Sequence, residues 1–190
     1  MNTERSRRDK WRDISWQSFW LSNDLQELTW LIQMLGQDDT RLYEFDQMIN
    51  RDYPNIVDGK PTSAIDDMLH EMIWKSYTWI LAAYELIRTI DRKLKTTDPT
   101  ADIRLKSQRL KNDFARLRVP MAKFEPTGKH EKTDYKFPPG CIQPGRGLCW
   151  AAAPDVVLSR TELSDALISF LLELKNYQAA TGSNVNPTNT

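Results

Sequence analysis

A basic stretch near the middle of the chain holds the residues best suited to bind an anion. Residues 102–136 carry ten lysines and arginines against five acidic residues, although the formal net charge of the whole chain is zero. Arginine forms paired hydrogen bonds with phosphate and carboxylate groups, and histidine can change its charge near neutral pH. The anion-binding candidates in this stretch are Arg116, Arg118, Lys123, Lys129 and His130.

The same stretch has a plainer interpretation. Residues 1–101 carry 17 acidic residues against 13 basic ones, so the basic stretch could pair with acidic helices of the same molecule. A bend at Pro120 could instead gather its cations on one side, since proline disfavours a helical residue before it. The sequence favours the solvated, internally paired face over an anion site. Arg146, in the turn-like "PGRG", and Arg160 complete the set of candidate anion-binding residues.

Metal, cofactor and thiol chemistry find little support. Asp67 and His70 are three residues apart on one helical pattern, but a di-iron site in a helical bundle needs two such pairs, and the chain has only two histidines. Cys141 and Cys149 are too few for a disulfide scaffold and lack the further ligands of a zinc site. The sequence therefore predicts no metal and no cofactor.

The elements that must position these residues are mostly helical. Apolar residues recur at intervals of three and four, which predicts a mainly α fold: an irregular bundle of four to five helices with a small β-hairpin before the last helix. Residues 1–178 are expected to form a single helical domain, with the hairpin at about 140–158, and residues 179–190 to form a disordered tail.

Individual boundaries follow from caps and breakers. Gly36 is a plausible end for the first helical pattern, and Pro120 should end another near Val119. Ser159 and Glu162 form a capping box. The predicted helices run over residues 14–36, as one helix or as two that meet near residue 22, and then over 40–51, 63–95, 99–119 after the cap Asp98, and 160–178.

The first helical pattern is apolar over most of its circumference, which indicates a second contact face in addition to the core. We expect this face to form a homodimer interface. Tryptophans can also stack on nucleic-acid bases, but most of those in this chain lie away from the basic stretch, which favours packing. The candidate interface residues are Trp16, Phe19, Trp20 and Trp30.

The composition and the absence of catalytic motifs limit the classes of function that this chain is expected to have. With 40% hydrophobic and 27% charged residues, no apolar signal segment and no long apolar run, the chain is expected to be cytoplasmic. It shows no metal set, catalytic triad or cofactor loop, which favours a non-enzymatic interaction or accessory protein of a bacterial type. Two alternatives stay open: nucleic-acid or polyanion binding or processing by the basic stretch, and a small-molecule pocket between helices and hairpin lined by Arg118, Arg160 and Trp150.

Overall fold

The computed structural model describes residues 6–16, 26–60, 63–96 and 99–182. Over these residues it contains five α-helices and one three-stranded sheet, which confirms a mainly helical fold with a small β element before the last helix. The elements are α1 (Arg7–Trp16), α2 (Gln26–Val57), α3 (Ser63–Leu94), α4 (Ala101–Lys123), β1 (Gly140–Gln143), β2 (Gly147–Ala153), β3 (Val156–Ser159) and α5 (Arg160–Gly182).

Helix α2 is one helix of 32 residues where the sequence predicts a helix end, a second helix and a loop. The predicted stop at Gly36 is wrong, because this glycine serves a close helix contact. A Cβ atom at Gly36 would lie 2.8 Å from both Cβ and Cγ of Trp11, so α1 packs where the side chain is missing. The helix also continues past Pro54, since the Asp58 N–H donates to the Pro54 carbonyl at 3.1 Å.

Helix α3 has the predicted extent, and α4 differs at both ends. The side chain of Thr100 caps α4 by accepting from the Ile103 N–H at 3.5 Å, whereas the predicted cap, Asp98, lies outside the described residues. The predicted end near Val119 is wrong by about one turn, because Pro120 lies inside the helix. The Phe124 N–H closes that last turn by donating to the Pro120 carbonyl at 2.9 Å.

The sheet is antiparallel with the order β1-β2-β3. The predicted hairpin is confirmed as β2 and β3, while β1 lies in a segment that the sequence marks only as turn-rich. The turn interpretation of "PGRG" is confirmed, since these residues join β1 to β2. Of the predicted capping box, the Ser159 half is formed: the Glu162 N–H donates to Ser159 Oγ at 3.4 Å. The Glu162 carboxylate binds Arg146 instead of returning to the cap. Helix α5 extends to Gly182, four residues into the predicted tail.

The core lies where α3 packs against α2 and α4, with α1 and α5 closing the bundle. The sheet rests on α2 and α5 through the alternate β2 residues Leu148, Trp150 and Ala152. The apolar stripe that the spacing predicts for α4 faces inward, and all of its residues are buried: Ile103, Leu110, Phe114, Leu117 and Met121. Among the described residues, no helix combines the length and apolar character needed to cross a membrane.

Candidate functional site: an aromatic groove and a buried ion network

A fully buried arginine lies at the centre of the molecule. Arg160, the first residue of α5, has none of its side chain exposed. Its guanidinium donates to Asp39 Oδ1 at 2.7 Å and to Asp46 Oδ2 at 2.5 Å. Both carboxylates belong to α2 and are seven residues apart, which places them two turns apart on the same helix face. A charge this deep in a protein is tolerated only when it is paired and hydrogen-bonded.

Further groups complete the hydrogen bonding of the two carboxylates. Asp39 also accepts from Arg7 Nε at 2.6 Å and from the indole N–H of Trp11 at 2.7 Å. Asp46 accepts from the hydroxyl of Thr161 at 2.6 Å and from the backbone N–H of Leu148 at 3.0 Å. The network therefore joins α1, α2, β2 and α5. We call these residues the Arg160 network: Arg7, Trp11, Asp39, Asp46, Leu148, Arg160 and Thr161.

The charges around Asp39 and Arg7 favour the ionised forms of these two residues. Burial alone would raise the pKa of Asp39, but the guanidinium groups of Arg160 and Arg7 outweigh burial and hold that pKa below its ordinary value. Burial would likewise lower the pKa of Arg7, yet the carboxylates of Asp39 and Asp165 raise it. Two buried aspartates and the exposed Asp165 engage both arginines, so the network serves to connect structural elements and leaves neither guanidinium free for a ligand.

This balance predicts acid sensitivity. A carboxylate with a lowered folded-state pKa stabilises the fold fully above its unfolded pKa of about 3.9 and loses that contribution as pH falls through the folded value. We therefore expect the free energy of unfolding to be level above about pH 5 and to decline steeply below about pH 4. Urea unfolding followed by circular dichroism at a series of pH values measures this, and Asp39→Asn should show a shallower decline. Equal slopes for both proteins would contradict it.

The structure ties most of the predicted anion-binding arginines to carboxylates of this chain. Arg116 on α4 forms two hydrogen bonds with Asp134, at 2.9 and 2.6 Å. Burial would raise the pKa of Asp134, but the hydrogen bond from Arg116 leads the effects that lower it. Arg118 contacts Glu85 of α3 at 3.2 Å. These pairs agree with the internally paired interpretation of the basic stretch.

Arg146 is engaged in a similar way at the sheet. Its guanidinium binds both carboxylate oxygens of Glu162, each at 2.6 Å, and also donates to Gln143 and to the Val157 carbonyl. Together with the buried Arg160, it is fully occupied within the molecule. The predicted arginines therefore occupy separate ion pairs and do not converge on one cleft.

The remaining basic candidates lie at the surface. Lys123 and Lys129 are exposed and His130 is half-buried. Neither lysine forms a salt bridge with any described residue.

Of the predicted interface residues, Trp30 on α2 is 66% exposed. Phe19, Trp20 and the side chain of Trp16 lie outside the described part of the chain.

The residues predicted to line a small-molecule pocket do not share an open surface. Arg160 and Trp150 are buried, and Arg118 lies over the ring of Tyr84, 5.2 Å from its centre. No group of three or more possible metal-ligating side chains occurs among the described residues. The two cysteines are free thiols.

An open groove with aromatic walls lies between α3 and the C-terminal end of α4. It has a volume of about 520 Å³, a size typical of ligand-binding pockets. One wall consists of α3 residues spaced by three and four, which places them on one helix face. The residues lining this aromatic groove are His70, Ile73, Trp74, Tyr77, Met121, Ala122, Phe124 and Phe137.

Two stacked ring pairs shape the groove. Trp74 lies nearly parallel to Tyr77, with ring centres 5.5 Å apart and an angle of 7° between the rings. Phe124 stacks on Phe137 at 5.5 Å and 19°. The Tyr77 hydroxyl donates to the Met121 carbonyl at 2.5 Å, which fixes α3 against the end of α4. The groove is thus held in shape while Trp74 and Phe124 stay 64% and 66% exposed.

Phe124 has an unusual backbone conformation. Its φ angle is +58°, and it is the only non-glycine residue with a positive φ among the described residues. Glycine or asparagine usually occupies this position after a helix, since a bulky residue there costs about 1 kcal/mol or more. Because this residue is 66% exposed, core packing does not offset that cost. Such strain is typical of functional sites.

The sequence pointed to the basic stretch and missed the groove beside it. A second apolar pattern on α3, formed by Ile73, Trp74 and Tyr77 next to the stripe that faces the core, could have revealed it. Comparison of the chain with models of known protein families, with curated proteins and with solved structures finds no match.

Proposed function

We propose that this protein is a non-enzymatic binding protein that recognises an apolar segment of a protein partner in the aromatic groove. The observation that carries the proposal is the solvent exposure of Trp74 and Phe124 in one open groove between α3 and the end of α4. Large aromatic side chains dominate the binding energy of protein interfaces. Monomeric proteins seldom leave such rings clustered in contact with water unless a partner covers them.

The composition of the lining favours a protein partner over nucleic acid. Of the polar side chains in the groove, the Tyr77 hydroxyl is already used by the Met121 carbonyl, which leaves the His70 imidazole and the Trp74 indole N–H. A nucleobase edge carries more donors and acceptors than these two groups can pair, and unpaired buried groups are costly. Aliphatic or aromatic side chains carry no such cost.

Charges next to the groove add a preference for acidic neighbours. Four exposed lysines lie in the segment that connects the two phenylalanines of the groove or directly flanks it. In the same segment Asp134 is taken up by Arg116, which leaves Glu125 and Glu131 as exposed acids. We therefore infer a partner segment with apolar anchors and flanking carboxylates. The four lysines are Lys123, Lys129, Lys132 and Lys136.

Synthetic fluorescent peptides test this proposal. One set pairs leucine and tryptophan anchors with acidic flanks, a second pairs the same anchors with basic flanks, and a third keeps the acids without anchors. We expect fluorescence anisotropy to show preferential binding of the first set. Trp74→Ala should weaken that binding by about thirtyfold, because truncating a central aromatic residue typically costs about 2 kcal/mol.

Trp30→Ala provides a matched control. It removes the same type of side chain, with the same degree of exposure, from α2, so it should leave peptide affinity unchanged. Equal loss with both variants, or no binding by any peptide set, would contradict the proposal. A labelled single-stranded oligonucleotide that competes for the groove would instead support the polyanion alternative. The predicted homodimer through the first helical region stays a separate prediction.

A further inference from the structure

The two cysteines are directly opposite each other in the sheet. Strand β1 pairs with β2 in an antiparallel register in which Cys141 lies opposite Cys149. The next pair along the hairpin is Ile142 and Leu148, which five residues connect. Directly opposite residues point to the same face of a sheet. Leu148 and Trp150, the β2 neighbours of Cys149, point to the opposite face of the sheet and belong to the hydrophobic core.

The backbone pairing sets the separation of the two residues. The Ala151 N–H donates to the Pro139 carbonyl at 3.0 Å, and hydrogen-bonded pairs recur at every second residue of an antiparallel ladder. Cys141 and Cys149 therefore form a hydrogen-bonded pair, with Cα atoms about 5.5 Å apart. That separation lies inside the range compatible with a disulfide, about 4.4 to 6.8 Å. Cβ atoms of opposite residues lie about 4.5 to 5.5 Å apart, so β1, which pairs with β2 alone, must move about 1 Å closer to reach the spacing of about 3.8 Å in a disulfide.

The two thiols differ in access. Cys149 is 1% exposed, whereas Cys141 on the edge strand is half-buried. Burial raises the pKa of Cys149 to about 12, against the opposing charge of Arg146. Burial raises the pKa of Cys141 as well, again opposed by Arg146. Cys141 is therefore the thiol that a dissolved reagent can reach, and Cys149 reacts only with a group delivered beside it.

We propose that Cys141 and Cys149 form a site of oxidative modification, in which a small dissolved disulfide converts the pair into a cross-strand disulfide. The Cys141 thiolate attacks one sulfur of the reagent, forming a mixed disulfide and releasing one reagent thiolate. The Cys149 thiolate then attacks the Cys141 sulfur and releases the second. Both cysteines are oxidised, the reagent disulfide is reduced to two thiols, and the two cysteine protons pass to the thiolates that leave.

Oxidised glutathione is the probe for this reaction. The folded full-length chain is incubated with it, free thiols are blocked, and the intact mass and the non-reduced peptide map are measured. Wild type should lose two hydrogens, with peptides containing the two cysteines joined. Cys149→Ser should stop at a glutathione adduct on Cys141, and Cys141→Ser should react at least tenfold more slowly than Cys149→Ser.

The outcomes separate cleanly. Wild type that retains the glutathione adduct, or that forms only intermolecular disulfides, would overturn the proposal. So would an adduct on Cys149 that forms as quickly as the one on Cys141. Circular dichroism before and after oxidation confirms that the reaction takes place in the folded protein. None of these results depends on the aromatic groove, so the proposed binding function stands or falls separately.

Discussion

Replacing Arg160 by methionine is expected to lower the free energy of unfolding by about 3 to 5 kcal/mol, the usual cost of removing one partner from a buried ion pair. The guanidinium binds two carboxylates that are themselves buried, Asp39 and Asp46. Methionine would occupy a similar volume but leave both carboxylates without their shared cation. Since a domain is stable by only about 5 to 15 kcal/mol, this loss should be plain in urea or thermal unfolding.

The pH dependence of the loss identifies its cause. Without the Arg160 charge, Arg7 is the one cation left to oppose burial, and the pKa of Asp39 should rise. A raised folded-state pKa means that protonation relieves the penalty, so the difference between wild type and Arg160→Met should be smaller near pH 4 than near pH 7. A packing defect would give the same difference at both pH values and would contradict the electrostatic explanation.

Arg88→Met is the matched surface control. Arg88 also pairs with a carboxylate, Glu85, at 2.6 Å, but the two side chains are 51% and 39% exposed. Exposed pairs contribute about 0 to 1 kcal/mol, so this variant should unfold almost like wild type. The contrast between the two arginines tests whether burial, rather than ion pairing as such, sets the size of the effect.

The helices could be predicted because their apolar spacing is local information. The α4 stripe through Leu110, Phe114 and Leu117 is read directly from intervals of three and four, and all three side chains are buried. The missed boundaries depend on distant residues instead. Gly36 resembles a helix end until Trp11 is placed against it, and no property of the surrounding α2 sequence shows that contact.

The Arg160 network also depends on residues that are far apart in the sequence. The sequence suggests Arg160 as an anion-binding candidate because of its side-chain chemistry, but the residue is buried. Its burial could not be predicted locally, because its partners Asp39 and Asp46 lie more than a hundred residues earlier in the chain. One local signal was available: both aspartates alternate with Leu35, Leu42 and Ile49 on a single apolar face of α2. Acidic residues at core positions require a buried cation, although the sequence cannot say which one.

Gly147→Ala is expected to be the most disruptive of the glycine substitutions in the described part of the chain. Gly147 begins β2 with a φ angle of +69°, in the left-handed region that disfavours a side chain. A Cβ atom there would also lie 2.7 Å from the Cβ of Asp46 and closer still to its carboxylate. That carboxylate cannot move aside, because Arg160, Thr161 and the Leu148 N–H all hold it.

Gly145→Ala separates the two contributions. Gly145 has a φ angle of +73°, yet a Cβ atom there would meet nothing within 4 Å. It should therefore incur only the conformational cost, about 1 to 2 kcal/mol. Gly147→Ala adds displacement of a buried ion pair, whose disruption costs about 3 to 5 kcal/mol, so its urea midpoint should fall well below that of Gly145→Ala. Equal midpoints would show that the Asp46 side chain can move aside without loss of stability. The Arg160 network would then not hold the sheet rigidly against the helices.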